Sequence, residues 1–193
     1  MPRAKEFEPE EALTKAMHQF WAKGYHDTSI RDLVERTGVN YYGLYAVFES
    51  KHGLFLAALD QYRKTVTAEI VSALKRQGPL QTTIRGAFDR LIELMTTADG
   101  KVGCLMANTA TEVAPYDAEA AARVQAHMRQ LRDAFRARLL EGQASGELGP
   151  EKDGDALAEF LATTMYSTGF LVRSGASDAQ VRRYVDTALT TLT

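Results

Sequence analysis

The chain predicts an all-α protein, a small three-helix headpiece followed by a larger helical body, with about nine helices in all. Three observations carry that expectation. Apolar residues recur at helical spacing almost throughout the 193 residues. Strand signals are missing: there is no sustained two-residue alternation and no Asn-Gly or Asp-Gly turn between apolar runs. Glycine, proline and the capping residues Ser, Asn and Asp stand where such helices would begin and end.

Pro9 occupies a first helical position, where its missing N–H costs nothing. Ala12, Leu13, Ala16, Met17, Phe20 and Trp21 follow on one side, and Gly24 closes the helix. Ser29 is placed as an N-cap, with Asp32 as the capping-box acid three residues on. Ile30, Leu33 and Val34 form the buried stripe of this second helix, and Gly38 is expected in the left-handed conformation at its end. Asn40 can cap a third helix. Ser50 can cap a fourth, which carries Leu54, Phe55, Ala58, Leu59, Tyr62, Val66, Ile70 and Leu74 before Gly78-Pro79.

A fifth helix shows Ile84, Phe88, Leu91, Ile92 and Met95 and breaks at Asp99-Gly100. Cys104 to Ala114 reads as a short helix stopped by Pro115. A long helix starts near Asp117 with Val124, Met128, Leu131, Phe135 and Leu139 along it. The stretch from Ser145 to Gly154 reads as a loop. Two final helices carry Leu157, Phe160, Leu161, Thr164, Thr168 and Leu171, and then Val181, Tyr184, Val185, Ala188, Leu189 and Leu192.

An apolar fraction of 45% supports a real core, and 25% charged residues is ordinary for a soluble surface. No apolar run approaches the roughly 18 residues a membrane span needs. The N-terminus, MPRAKEFEPEEA, is polar and acidic, without a signal-peptide apolar stretch. The single cysteine, Cys104, rules out an intramolecular disulfide framework and fits a reducing cytoplasm, the expected location. The net charge is −2, and Met1 to Asp60 carries seven Lys/Arg against nine Asp/Glu. Any contact with nucleic acid must therefore come from local placement: Arg3, Lys5, Arg31, Lys51 and helix N-termini.

The most specific segment is Thr28 to Lys51, TSIRDLVERTGVNYYGLYAVFESK. One amphipathic helix ends at Gly38 and a second starts within two residues, the pattern of a helix-turn-helix. Leu44, Tyr45 and Phe48 are placed to fasten the second helix to the body, although Tyr45 and Phe48 could equally face outward. Tyr41 and Tyr42 point about 100° apart, so a unit this small cannot bury both. A tyrosine can bond a phosphate through its hydroxyl or pack on a thymine methyl. Asn40 can reach a base edge or simply cap its helix.

Phe20, Gly24-Tyr25, Thr28-Ser29-Ile30, Gly38-Val39, Leu44-Tyr45, Phe48 and Ser50-Lys51 leading to Leu54 together resemble the headpiece of the tetracycline-repressor (TetR/AcrR) family. The resemblance implies a homodimeric one-component regulator, usually a repressor, that leaves a palindromic operator when a small molecule binds its body. It implies phosphate roles for Thr28, Tyr45 and Lys51, and base or phosphate roles for Asn40, Tyr41 and Tyr42. Ser29 joins this DNA-binding set. The expected division is a DNA-binding unit over 1–49 and a ligand-binding, dimerising unit over 50–193. Two departures stand out: Tyr42 takes the place of the family's usual small residue, with Gly43 after it, and His52-Gly53 stands where an acid is usual.

In the body, Gly103 to Glu112 resembles a recurrent piece of some family members. Cys104, Asn108 and Glu112 share one helical face and could line a pocket. Tyr62, Phe88, Met95, His127, Met128 and Tyr166 are further pocket candidates, with ordinary core packing as the alternative for each. Cys104 is either a packing residue or a redox or electrophile sensor, which requires a lowered pKa and some exposure. For the dimer interface the last two helices offer Phe160, Leu161, Thr164, Thr168, Tyr184 and Ala188, with Ser167 and Gly169 allowing close approach.

Neither a Gly-x-Ser-x-Gly element nor a phosphate loop or zinc-ligand cluster is present, so an enzyme is not expected. No cofactor or metal is expected either. The expected partners are double-stranded operator DNA, a second copy of the chain and a small-molecule effector, with no membrane. A helical protein–protein adaptor without DNA binding is the alternative that the acidic headpiece supports.

Overall fold

The computed structural model describes residues 7–97 and 100–193. Arg3 and Lys5 lie outside the described residues. The headpiece consists of α1 (Pro9–Lys23), α2 (Ile30–Thr37) and α3 (Tyr41–Phe48). The body follows with α4 (Lys51–Tyr62), α5 (Ala68–Leu74), α6 (Leu80–Leu94), α7 (Leu105–Glu112), α8 (Ala118–Ala144), α9 (Gly154–Arg173) and α10 (Asp178–Leu189). A π-helical turn, Arg63–Thr67, joins α4 to α5, so these two form one rod. Nine rods therefore build the described chain.

The start and stop signals act as the residue types require. Ser29 and Asp32 form a reciprocal capping box on α2. Gly38 adopts φ 74°, ψ 9°, and its N–H donates to the Val34 carbonyl. The Asn40 side chain accepts from the Gly43 amide, the Ser50 hydroxyl from the Gly53 amide, and Asp117 from Glu119 and Ala120.

Two elements depart from the sequence reading. The expected single fourth helix contains the π turn. Its buried residues Ala58, Tyr62, Val66, Ile70 and Leu74 are spaced by fours, and each such step drifts about 40° around an ideal α-helix. The wider π turn absorbs part of that drift and keeps the set facing the core. Near Asp99-Gly100, where only a break was expected, a two-residue antiparallel ladder pairs Thr96 with Lys101 and Thr97 with Gly100.

A single apolar core runs from headpiece to body. Phe20, Trp21, Leu33 and Leu44 belong to the same buried cluster as Phe55, Leu59, Tyr62, Phe88 and Phe135. The helices of the headpiece are too short to enclose a core of their own. They complete it on α4, where the Phe20 ring meets Phe55 edge-on at 5.1 Å.

Candidate nucleic-acid interface and effector region

In α3, Leu44 is fully buried and anchors the helix, while Tyr41 is 45% and Tyr42 81% exposed. Tyr42 lies on the side of this two-turn helix opposite Leu44, while Tyr41, three residues before Leu44, sits at the edge between them. Tyr41 packs at a tilt on Tyr45 at 4.3 Å and meets Tyr42 edge-on at 5.4 Å, so three phenol rings form one ledge that is exposed at Tyr41 and Tyr42 and half-buried at Tyr45. Gly43 has a packing reason: a Cβ there would lie 2.9 Å from Val39 Cγ1. Phe48 packs against the core from a half-buried position.

The exit from α3 is tightly determined. Glu49 has φ 65°, ψ −41°, and the Ser50 amide donates to the Phe48 carbonyl at 2.7 Å, a γ-turn of the uncommon hand. A Cβ at residue 53 would sit 2.2 Å from the Phe48 carbonyl oxygen. With this backbone only glycine fits at 53.

The other expected DNA residues fall into different roles. Thr28 is fully buried and its hydroxyl donates to the Gly24 carbonyl at 2.6 Å; this corrects the expectation of a phosphate contact, because the hydroxyl is committed to the turn between α1 and α2. Ser29 is exposed but holds the α2 cap. Lys23, together with the Ser29 hydroxyl and amide, holds the Asp32 carboxyl well below the usual carboxylate range. Lys51 rests its ammonium 4.5 Å from the Tyr25 ring centroid, and burial lowers its pKa.

In the body, four of the pocket candidates converge. Tyr62, Cys104, His127 and Tyr166 meet at the centre: the Tyr62 hydroxyl donates to Cys104 Sγ at 3.6 Å, and the His127 ring lies 6.0 Å from Tyr62 and 5.5 Å from Tyr166. His127 Nδ1 and the Thr67 hydroxyl share a 3.0 Å hydrogen bond. Burial, reinforced by the charge of Arg63, pushes the His127 pKa down to about 3. The buried Tyr166 hydroxyl has no hydrogen-bond partner among the described residues.

Cys104 is buried, and burial pushes its thiol up despite the amides of Ala107 and Met106. That corrects the lowered pKa and exposure a sensor needs. Two further candidates belong to the core: Phe88 packs on Phe135 at 6.0 Å, and buried Met95 lies against Gly169, where a Cβ would meet its Cε at 3.1 Å. Met128 is half-buried on α8. Asn108, Glu112 and Tyr166 line a groove between α7 and α9.

Four of the expected interface residues also turn inward. Leu161, Thr164, Thr168 and Ala188 are buried within the chain. Thr164 and Thr168 donate their hydroxyls to carbonyls one turn back, and Gly169 lets α9 close on Cys104. The outward residues are Phe160 and Phe170 on α9 and Tyr184 on α10, at 44%, 69% and 37% exposure.

Sequence reasoning missed the junction between headpiece and body. Glu112 accepts from the Tyr25 and His26 amides at 3.2 and 2.7 Å. His52 pairs with Asp117 at 2.5 Å. Trp21 Nε1 donates to the Gly103 carbonyl at 2.7 Å, and Arg173 Nη1 donates to the carbonyls of Trp21 and Val102 at 3.3 and 3.0 Å. These partners are 65 to 152 residues apart, beyond any local signal.

Residues 12–58 match the family described as bacterial regulatory proteins, tetR family, and residues 79–188 match the tetracyclin repressor-like C-terminal domain. The chain belongs to the tetR family of transcriptional regulators. It is 31% identical over 193 residues, the full length of both chains, to YezE, an uncharacterised helix-turn-helix transcriptional regulator of Bacillus subtilis. It is 33% identical over 188 residues, 97% of this chain and 90% of the relative, to the transcriptional repressor ComR of Escherichia coli. Its structure superposes with a TM-score of 0.88 and 25% identity on a cysteine variant of the TetR-family regulator CifR bound to 26-bp operator DNA, covering 99% of this chain and 100% of that one. Within the described residues of this TetR-family chain, no helix is long and apolar enough to cross a membrane.

Proposed function

We propose that this TetR-family regulator binds a palindromic operator as a homodimer, represses transcription, and releases the DNA when a small molecule occupies its body. The observation that carries the reading is α3: a helix held by fully buried Leu44 that turns Tyr42, 81% exposed, away from the core. An aromatic that open, beside Tyr41 and behind the Asn40 cap, loses nothing by entering a major groove. Tyr45 and Lys51 flank it as phosphate contacts, and Ser29 presents the start of α2.

The dividing line falls at Glu49–Ser50, with 1–49 as the DNA-binding unit and 50–193 as the ligand-binding and dimerising unit. The dimer forms on the outward faces of α9 and α10 through Phe160 and Tyr184, and it places the two α3 helices about 34–36 Å apart. The protein works in the cytoplasm, where the DNA is, and turns over no substrate.

A gel shift against the chromosomal region upstream of the protein's own gene, at low salt, tests this. The expected result is a shift that competitor DNA of unrelated sequence removes less readily, by a species of two subunits. Strict monomers that shift no duplex would overturn it in favour of a protein–protein adaptor.

A further inference from the structure

At the π turn of the α4–α5 rod a cleft of about 410 Å³ opens, lined by Asp60, Arg63, Lys64 and Ala68 of the rod and by Gln130 of α8. Its size falls in the range of small-molecule sites. Among the described residues none from α7, α9 or α10 lines it, so it is separate from the groove beside α9 and from the faces assigned to the dimer. Single π turns recur at functional sites.

Two buried polar atoms of this cleft have no hydrogen-bond partner among the described residues: Arg63 Nε, a donor, and Gln130 Oε1, an acceptor. Leaving either unmet is costly. The carboxylate of the cleft, Asp60, is already engaged by Arg123 Nε at 3.0 Å. Arg63 and Lys64 have no carboxylate partner among the described residues. Three cations, Arg63, Lys64 and Arg123, therefore stand against one carboxylate. The surplus reaches the core, since the Arg63 charge adds to burial in lowering the His127 pKa. These demands are selective. An anion without a proton to donate would meet Arg63 but not Gln130, whose side-chain oxygen only accepts. A neutral alcohol would meet Gln130 and leave both cations unmatched.

We propose that this cleft binds a small phosphate monoester that carries a free hydroxyl. The phosphate accepts from Arg63 Nε and from the Lys64 ammonium, and its two negative charges match the two surplus cations. Its three oxygens serve both donors where a carboxylate has only two. The hydroxyl donates to Gln130 Oε1. The ligand thereby ties the π turn to α8. This site goes beyond the operator-binding reading and does not depend on it.

The test is calorimetry on the full chain at low salt with glycerol 3-phosphate, ethyl phosphate, which lacks the hydroxyl, and glycerol, which lacks the phosphate. Glycerol 3-phosphate is expected to bind about 3- to 10-fold more tightly than ethyl phosphate, and glycerol not at all. Arg63→Gln should weaken both phosphates about 10-fold or more. Lys64→Gln, at an exposed position where folding is not at stake, should weaken both as well. Gln130→Leu should bring glycerol 3-phosphate down to the level of ethyl phosphate and leave ethyl phosphate unchanged. Absence of binding, binding of glycerol alone, or phosphate affinity that survives both Arg63→Gln and Lys64→Gln overturns the proposal. Ethyl phosphate or sulfate binding as tightly as glycerol 3-phosphate also overturns it, by reducing the cleft to a general anion patch. Lactate binding more tightly than glycerol 3-phosphate overturns the choice of phosphate over carboxylate.

Discussion

Replacing His127 by glutamine should flatten the acid sensitivity of the fold. In the folded chain burial holds the imidazole at about 3, against an ordinary value of 6.5. Above pH 6.5 neither state binds the proton, and the contribution to stability is fully present. As the pH falls from 6.5 towards 3, the unfolded chain takes up a proton that the folded chain refuses, so stability is lost. At pH 5 the loss is about 2 kcal/mol, from 1.5 pH units at about 1.4 kcal/mol each. For a chain of this size that corresponds to roughly 4–8 °C in Tm. Glutamine can keep a hydrogen bond to Thr67 but does not titrate. Asp32 and Asp117, whose pKa values are also lowered, lose their contribution at lower pH and act equally in both proteins. Thermal melts of parent and His127→Gln at pH 7.5 and pH 5 isolate the effect. Identical losses of Tm in the two proteins would refute a neutral, buried imidazole.

Tyr42→Ala should weaken operator binding by about 1–3 kcal/mol with Tm nearly unchanged, because the ring is mostly exposed; gel shift and melting check both. Lys51→Gln should weaken all duplexes alike and reduce the salt dependence by about 0.9 per protomer, read from binding isotherms at several salt concentrations. Gly53→Ala should cost about 3 kcal/mol or more through collision with the Phe48 carbonyl, seen as a fall in denaturation midpoint. Cys104→Ser should respond to oxidants as the parent does, and native Cys104 should resist iodoacetamide until the chain unfolds; mass spectrometry of the alkylated peptide decides.

The fold was legible because its signals are local. Ser29 with Asp32, Gly38, Asn40 and Ser50 cap helices within a few residues of themselves, and tertiary packing did not override them. That Tyr41 and Tyr42 are not both buried followed from geometry alone. The body was harder to read for a physical reason. An apolar stripe on α9 is satisfied equally by its own chain or by a second copy, and spacing does not distinguish them. Leu161, Thr168 and Gly169 close on α7 and α8, which leaves Phe160 and Phe170 outside. Thr28 looked available until the turn after Gly24 claimed its hydroxyl. Glu112 and Arg173 carried no hint of their junction roles, since both bond backbone groups, which every residue possesses.

The left-handed twist at Glu49, backed by the forbidden volume at Gly53, has a bearing on regulation. It fixes the angle at which the tyrosine ledge leaves the long rod, and that angle cannot be tuned without breaking the joint. An effector can therefore move each headpiece only as a solid piece. It changes how firmly the pair grips DNA, while the base preference stays the same in the bound and the releasing states.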